Sequence, residues 1–254
     1  MRQFILPQSY DGAGNLVLNA KESRYLTRVL RLGVGDEIIA RDRDGKTRMM
    51  AITASEAGIC TLSASESGVN TDTLPAYRGP SANLVLMQCL LKGRKEDDVV
   101  RQATEIGVTS IVLVQSRHCV PDAKERGTGR IDRLKAKVRE ALQQSGSAIP
   151  TQLEERIIPL LELPAWWAGR GKVLFFHQSE QDQQQSLSAI AGDIDIDEPV
   201  GVLIGPEGGF SDEECRFLSQ NGFIPVLLKT NVLRSETAAI YALSALQVLL
   251  NDRN

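Results

Sequence analysis

The chain has 254 residues, a hydrophobic fraction of 42% and a charged fraction of 24%, the proportions of a chain that buries a core without help from disulfides or metals. Its net charge of −3 excludes nucleic-acid binding by bulk attraction alone. Cysteines at 60, 89, 119 and 215 make no CxxC pair, no apolar run could span a membrane, and the N-terminus lacks a secretory core, so no metal, no membrane span and a cytoplasmic location are expected.

The first 66 residues read as short strands around one helix. QFIL (3–6), NLVL (15–18), DEIIARD (36–42), TRMMAIT (47–53) and ICTLSAS (59–65) are rich in strand formers. Turn signals separate them at Asp11-Gly12, Gly33, Gly35, Asp44-Gly45 and Gly58. The helix spans Lys21 to Arg31, with apolar pairs Tyr25–Val29 and Leu26–Leu30 and a basic stripe of Lys21, Arg24, Arg28 and Arg31. This predicts a small β-barrel-like domain over residues 1–72. Residues 68–82 read as a linker.

Residues 73–254 follow another grammar. Continuous apolar strands (83–91, 110–115, 172–177, 200–205 and 225–229) alternate with helices over Lys95–Gly107, Arg130–Ser145, Ser211–Asn221 and Glu236–Leu250. Gly107 reads as a C-cap, and 181–185 as a polar surface loop. The alternation predicts an α/β domain with a mainly parallel sheet.

Net charge is zero over 1–74, +5 over 75–150 and −8 over 151–254. The basic stretch could face a polyanion or could be a set of solvated helix faces. Lys92, Arg94 and Lys95 cluster at the exit of the 83–91 strand, where they could grip phosphates. Glu105 lies near the inward face of its helix and needs a partner if buried.

Two strand-end loops stand out. In LIGPEGGFSDEE (203–214), Gly205, Gly208 and Gly209 let backbone approach a ligand, and Ser211 with Glu214 forms a capping box. Asp212, Glu213 and Glu214 already fill the first helical turn, which disfavours a phosphate. The loop suits a neutral or cationic ligand, or it is a well-capped glycine-rich turn. In KTNVLRSETAAIYAL (229–243), Ser235 is the expected N-cap and Glu236 sits at the positive helix end. Arg234 either pairs with Glu236 or Glu207 or points at a ligand oxygen. Neither histidine lies in a nucleophile motif, and no HExxH is present.

GPEGGF (205–210), LRSETA (233–238) and KGRKEDDVVRQATEIGV (92–108) together resemble the RsmE family of 16S ribosomal RNA (uracil-N3)-methyltransferases, within the SPOUT superfamily. Val29-Leu30-Arg31 resembles an element of that family's PUA-like RNA-binding domain, and EALQQSG (140–146) resembles a further family segment. The chain departs from the family pattern at Ser147, where Arg is usual, at 228–231, which lacks Gly, and near Tyr25, where His is frequent.

The resemblance implies a SPOUT domain with a deep trefoil knot at about 200–240, acting as a homodimer on 16S rRNA or the small ribosomal subunit. It implies S-adenosyl-L-methionine held by Leu203, Ile204, Gly205, Pro206, Glu207, Gly208, Gly209, Leu228, Leu233, Arg234, Ser235, Thr237 and Ala238. Arg234 would stabilise charge on the uracil, with Glu207, Glu236 or water taking the N3 proton. Arg24, Arg28, Arg31, Lys92, Arg94 and Lys95 would contact RNA. An RNA-binding assembly factor with a vestigial pocket, and a SPOUT enzyme with another target base, are the competing readings.

Overall fold

A computed structural model describes residues 3–7, 9–42, 46–65, 82–121, 129–147, 149–178 and 184–252. The predicted boundary at 72/73, the Asp44-Gly45 turn and nearly all of the predicted linker lie outside the described residues. The chain divides into two compact units, Met1–Tyr77 with Leu142–Pro150, and Arg78–Ala141 with Thr151–Asn254.

The first unit is a five-stranded sheet in the order β1-β3-β4-β5-β2. Its strands are β1 (Phe4–Ile5), β2 (Leu16–Val17), β3 (Glu37–Arg41), β4 (Thr47–Glu56) and β5 (Ile59–Ala64). Only β1 and β3 pair parallel, and a register shift near Ile52/Ala54 bends β4 against β5. Phe4, Leu18, Leu26, Met50, Ile52 and Leu62 form its core. The helix runs as α1 (Ala20–Arg24) and continues in a wider π turn, Tyr25–Val29. Asn19 caps it through a capping box with Glu22. The turn ends at Arg31, which takes a left-handed φ of 60° while the Leu32 N–H reaches the Leu26 carbonyl at 3.0 Å. The predicted Tyr25–Val29 apolar pair is corrected here. The π turn shifts the helical phase, and Val29 stands 52% exposed.

Residues 142–150 complete this unit. The Gln3 side chain donates to the carbonyls of Leu142 (3.0 Å) and Ser147 (2.9 Å). Ser147 is buried, and its hydroxyl accepts from the Ile149 N–H at 3.1 Å.

The second unit is an α/β domain whose described strands all pair parallel, in the order β11-β13-β10-β12-β6-β7-β8, with β9 also on β7. These are β6 (Leu84–Cys89), β7 (Ser110–Gln115), β8 (Gln152–Leu153), β9 (Ile158–Pro159), β10 (Val173–Phe176), β11 (Gln185–Ser186), β12 (Val200–Ile204) and β13 (Ile224–Leu227). β6, β10 and β12 are buried along their whole length, which is why they read as continuous apolar runs. The helices are α2 (Lys95–Ile106), α3 (Gly129–Ser145, whose last turn belongs to the first unit), α4 (Leu163–Trp167), α5 (Leu187–Gly192), α6 (Asp212–Gln220) and α7 (Ser235–Asn251). Gly107 ends α2 with φ 95°, a conformation that costs glycine no Cβ clash. Gln185, predicted as loop, is the first residue of the short strand β11.

Candidate active site

β13, β10 and β12 are neighbours and parallel, so their C-terminal ends open on one edge of the sheet, where ligands bind in such folds. A cavity of about 410 Å³ lies there, between residues 176–178, 204–209 and 226–235, closed by Lys95 and Ala238. Its size suits a small organic ligand.

The loop after β12 is built by its own sequence. Gly209 adopts φ 67°, and its N–H returns to the Pro206 carbonyl at 2.9 Å. Ser211 and Glu214 make the expected capping box, which starts α6. Glu214 also accepts the Arg117 N–H at 2.8 Å. Arg117 pairs with Glu213 through its guanidinium, and His118 Nδ1 lies 3.2 Å from the carbonyls of Gly208 and Gly209. The turn after β7 therefore braces the glycine loop from behind.

Among the described residues, Lys95, Glu207 and Arg234 carry charge on the cavity wall, and Glu236 stands beside them. Lys95 Nζ lies 3.0 Å from Glu207 and 3.5 Å from Glu236, joining α2, the glycine loop and the start of α7. The Lys92 N–H adds a bond to Glu207 at 3.2 Å. Burial pushes the Glu207 carboxyl up, but hydrogen bonds from Lys95 and from the backbone outweigh it and leave the group below its ordinary range. The hydrogen bond to Glu207 raises Lys95 in turn. Arg234 lines the same cavity with no carboxylate partner among the described residues. The predicted alternative of an Arg234–Glu207 or Arg234–Glu236 pair is thereby removed, because Lys95 holds both carboxylates.

Ser235 is corrected as well. Arg234, in extended conformation, is the residue before α7, and Ser235 is the first helical residue. The Ser235 hydroxyl donates to the Gly205 carbonyl and accepts from Gln88 Nε2 at 3.0 Å, tying α7 to β12 and β6.

Of the residues named from sequence, Ile204, Gly205, Pro206, Glu207, Gly209, Leu228, Leu233, Arg234, Ser235 and Ala238 line the cavity. Leu203, Gly208 and Thr237 do not; Leu203 belongs to the core, Gly208 packs on His118, and Thr237 is exposed. Lys95, predicted to contact RNA, is part of the cavity wall. Arg24, Arg28 and Arg31 are exposed on the first unit, and Lys92 and Arg94 are exposed at the exit of β6.

Sequence reasoning missed His177 and the apolar wall at Phe176, Val226 and Leu227. The signal for His177 was its place directly after a buried strand. Burial holds its imidazole below the usual range, only partly opposed by Asp212, and its Nδ1 is buried without a hydrogen-bond partner among the described residues. Glu96 was also missed; Glu105, flagged instead, is half-buried and pairs with Arg101 at 2.9 Å. Glu96 is fully buried against Arg130 and accepts the Leu91 N–H at 2.8 Å.

Comparison with known proteins identifies this architecture. Residues 78–247 match the model of an RNA methyltransferase domain, and residues 18–63 match that of an RNA methyltransferase PUA domain. Ribosomal RNA small subunit methyltransferase E 2 of Borreliella burgdorferi is 30% identical over the full length of both chains. The corresponding methyltransferase E of Mycobacterium bovis is 28% identical over 94% of this chain and 88% of its own. A crystal structure of methyltransferase E from Neisseria gonorrhoeae bound to S-adenosyl methionine superposes with TM-score 0.79, at 26% identity and full coverage of both chains. A methyltransferase from Legionella pneumophila with bound SAM gives TM-score 0.80 at 27% identity, covering 97% of this chain and 96% of that one. With both of its units matched over so much of their length, the chain belongs to the RsmE family of RNA methyltransferases.

Proposed function

We propose that this protein methylates uridine N3 in 16S ribosomal RNA, using S-adenosyl-L-methionine bound in the cavity between residues 204–209 and 226–238. The observation that carries this reading is the charge on the cavity wall: Glu207, joined through Lys95 to Glu236 beside it, and Arg234 with no anionic partner among the described residues. Such a site suits a ligand with a positive sulfur and leaves Arg234 to meet an anionic atom of the substrate. The apolar side chains of Ile204, Val226 and Leu233 suit the ligand's adenosine, and the buried Nδ1 of His177, unpartnered among the described residues, offers a polar contact. When bound, the cofactor supplies a methyl group on cationic sulfur.

The protein's own part is positioning and charge. In-line transfer gains most from holding donor and acceptor in line. As N3 loses its proton, negative charge spreads to the uracil oxygens, and Arg234 stabilises it. Glu207, held ionised by Lys95, is a poor proton acceptor and a good counter-charge for a cation. Glu236 or water takes the proton. No step requires a metal.

The first unit, with Arg24, Arg28 and Arg31 exposed, serves as the RNA-binding module, aided by Lys92 and Arg94. The segment 200–240 threads as a trefoil knot, as the family resemblance implies. The protein works as a homodimer in the cytoplasm. Tyr241 and Val248, exposed by 48% and 58% on one face of α7, support an apolar interface there.

The test is methylation of assembled small subunits and of free rRNA by the purified protein, with nucleotide mapping by mass spectrometry. N3-methyluridine in 16S rRNA is expected. Unchanged N3-methyluridine in a deletion strain would remove the substrate assignment, and a different modified base would leave the cofactor assignment standing.

A further inference from the structure

We propose that Gln88 is a positioning residue for methyl transfer: through Ser235 it fixes the backbone of Arg234 against Gly205, the first residue of the glycine loop. The proposal rests on reading Arg234 as the group that meets the uracil oxygens. Gln88 lies in β6, a strand buried along its whole length and otherwise made of Leu, Val, Met and Cys, and it is itself 1% exposed. Val85, Met87 and Cys89 join the core cluster that holds Phe175 and Phe210. Alternation puts Gln88 with Leu84 and Leu86 on the opposite face of the strand, where α7 packs. Its register partner on β12 is Ile204, the residue before Gly205.

Stability does not account for an amide here. It loses water on every side. Its Nε2 recovers two bonds, to the Cys89 carbonyl and to the Ser235 hydroxyl, both at 3.0 Å. Its Oε1 recovers none among the described residues. An unpaired buried acceptor costs as much as such a bond returns, so little is gained over an apolar side chain of the same shape. What the amide adds is direction. The Cys89 carbonyl can only accept, so Nε2 has to face it and the amide cannot turn over. Nε2 then donates into the Ser235 oxygen, which leaves the hydroxyl proton for the Gly205 carbonyl. This relay joins β6, the loop after β12 and the first residue of α7. Arg234 directly precedes Ser235 in extended backbone, and its carbonyl accepts the Ala238 N–H at 2.8 Å. Its guanidinium has no carboxylate partner among the described residues, so the backbone sets where it starts.

The test has two arms. In hydrogen–deuterium exchange of the ligand-free, full-length protein, Gln88→Met is expected to raise exchange at least about threefold in peptides covering 205–210 and 232–238, and to leave those of β7 and of the first unit unchanged. In single-turnover methylation of small ribosomal subunits at saturating S-adenosylmethionine, Gln88→Met is expected to slow transfer about 10- to 100-fold. In an Arg234→Ala background the same substitution slows it less than about threefold, because the group that Gln88 positions is gone. Equal losses in both backgrounds, or exchange rising evenly along the chain, would make Gln88 merely structural and overturn the proposal, as would an unchanged rate. Should Gln88→Met not fold, Ser235→Ala carries both arms, and the same outcomes refute the relay. A wild-type protein that transfers no methyl group would overturn the functional reading instead, and the exchange arm would then decide by itself whether Gln88 holds the two loops.

Discussion

Arg234 differs from the other cations near the site in having no carboxylate partner among the described residues. Lys95 is occupied by Glu207 and Glu236, and Arg117 by Glu213, whereas Arg234 faces the cavity alone. Arg234→Ala should lower kcat by roughly 100- to 1000-fold, about 3–4 kcal/mol of transition-state stabilisation. Thermal melting should move little, since no ion pair is lost. A fall in stability of the same size as the fall in activity would show a structural arginine. Cys119 has a second residue-scale consequence. A hydrogen bond with Cys89 and bonds from Ser116 outweigh burial and bring its thiol down to about 6. Cys215, buried and beside Asp212, is pushed up to about 11. Alkylation at pH 7 should therefore label Cys119 first, at a rate rising through pH 6, as peptide mapping would show.

At the scale of elements, much was legible because the signals are local. Gly107 ended α2 and Ser211 with Glu214 began α6 as predicted, since capping needs only neighbours in sequence. The buried strands declared themselves by unbroken apolar runs. The glycine loop and the LRSETA loop were found for the same reason, through turn chemistry at strand ends. What could not be read was set by distant partners. Lys95 resembled its neighbours Lys92 and Arg94 until the fold placed two carboxylates around it. Ser235 looked like a cap until the Gly205 carbonyl claimed its hydroxyl. The π turn after α1 carried no signal in its periodicity, and the five-residue α4 was too short to show one. Glu96 was hidden among acidic neighbours, yet it is the carboxylate that the core keeps. Desolvation, with Arg133 nearby, lowers its partner Arg130 to about 10. Glu96→Ala should cost about 3–5 kcal/mol in urea unfolding, because it strands a buried guanidinium. In the helix of the first unit, Arg28→Ala with Arg31→Ala should weaken RNA binding in filter assays and leave cofactor affinity unchanged. Unchanged RNA binding would take that helix out of the substrate path.

At the scale of the molecule, part of the +5 of residues 75–150 is met by carboxylates from outside that stretch: Lys95 by Glu207 and Glu236, Arg117 by Glu213 and Lys135 by Glu155. Arg24, Arg28, Arg31, Lys92 and Arg94 remain exposed for a polyanion. At about 0.7–0.9 per phosphate contact, these five residues give a slope of log Kd against log salt of at most about 4.5 per subunit. A steeper slope would mean that paired residues open to meet RNA. The membership of Leu142–Pro150 in the first unit has a different consequence. Neither unit is one continuous stretch of chain, so neither can be passed on by a single end-to-end gene fusion. A recombination that exchanged only the first 77 residues would remove Gln3, which now donates to the Leu142 and Ser147 carbonyls, and leave residues 142–150 facing a foreign sheet. The two units are thus bound to a shared inheritance, and change in either has to arise by substitution within it rather than by its replacement.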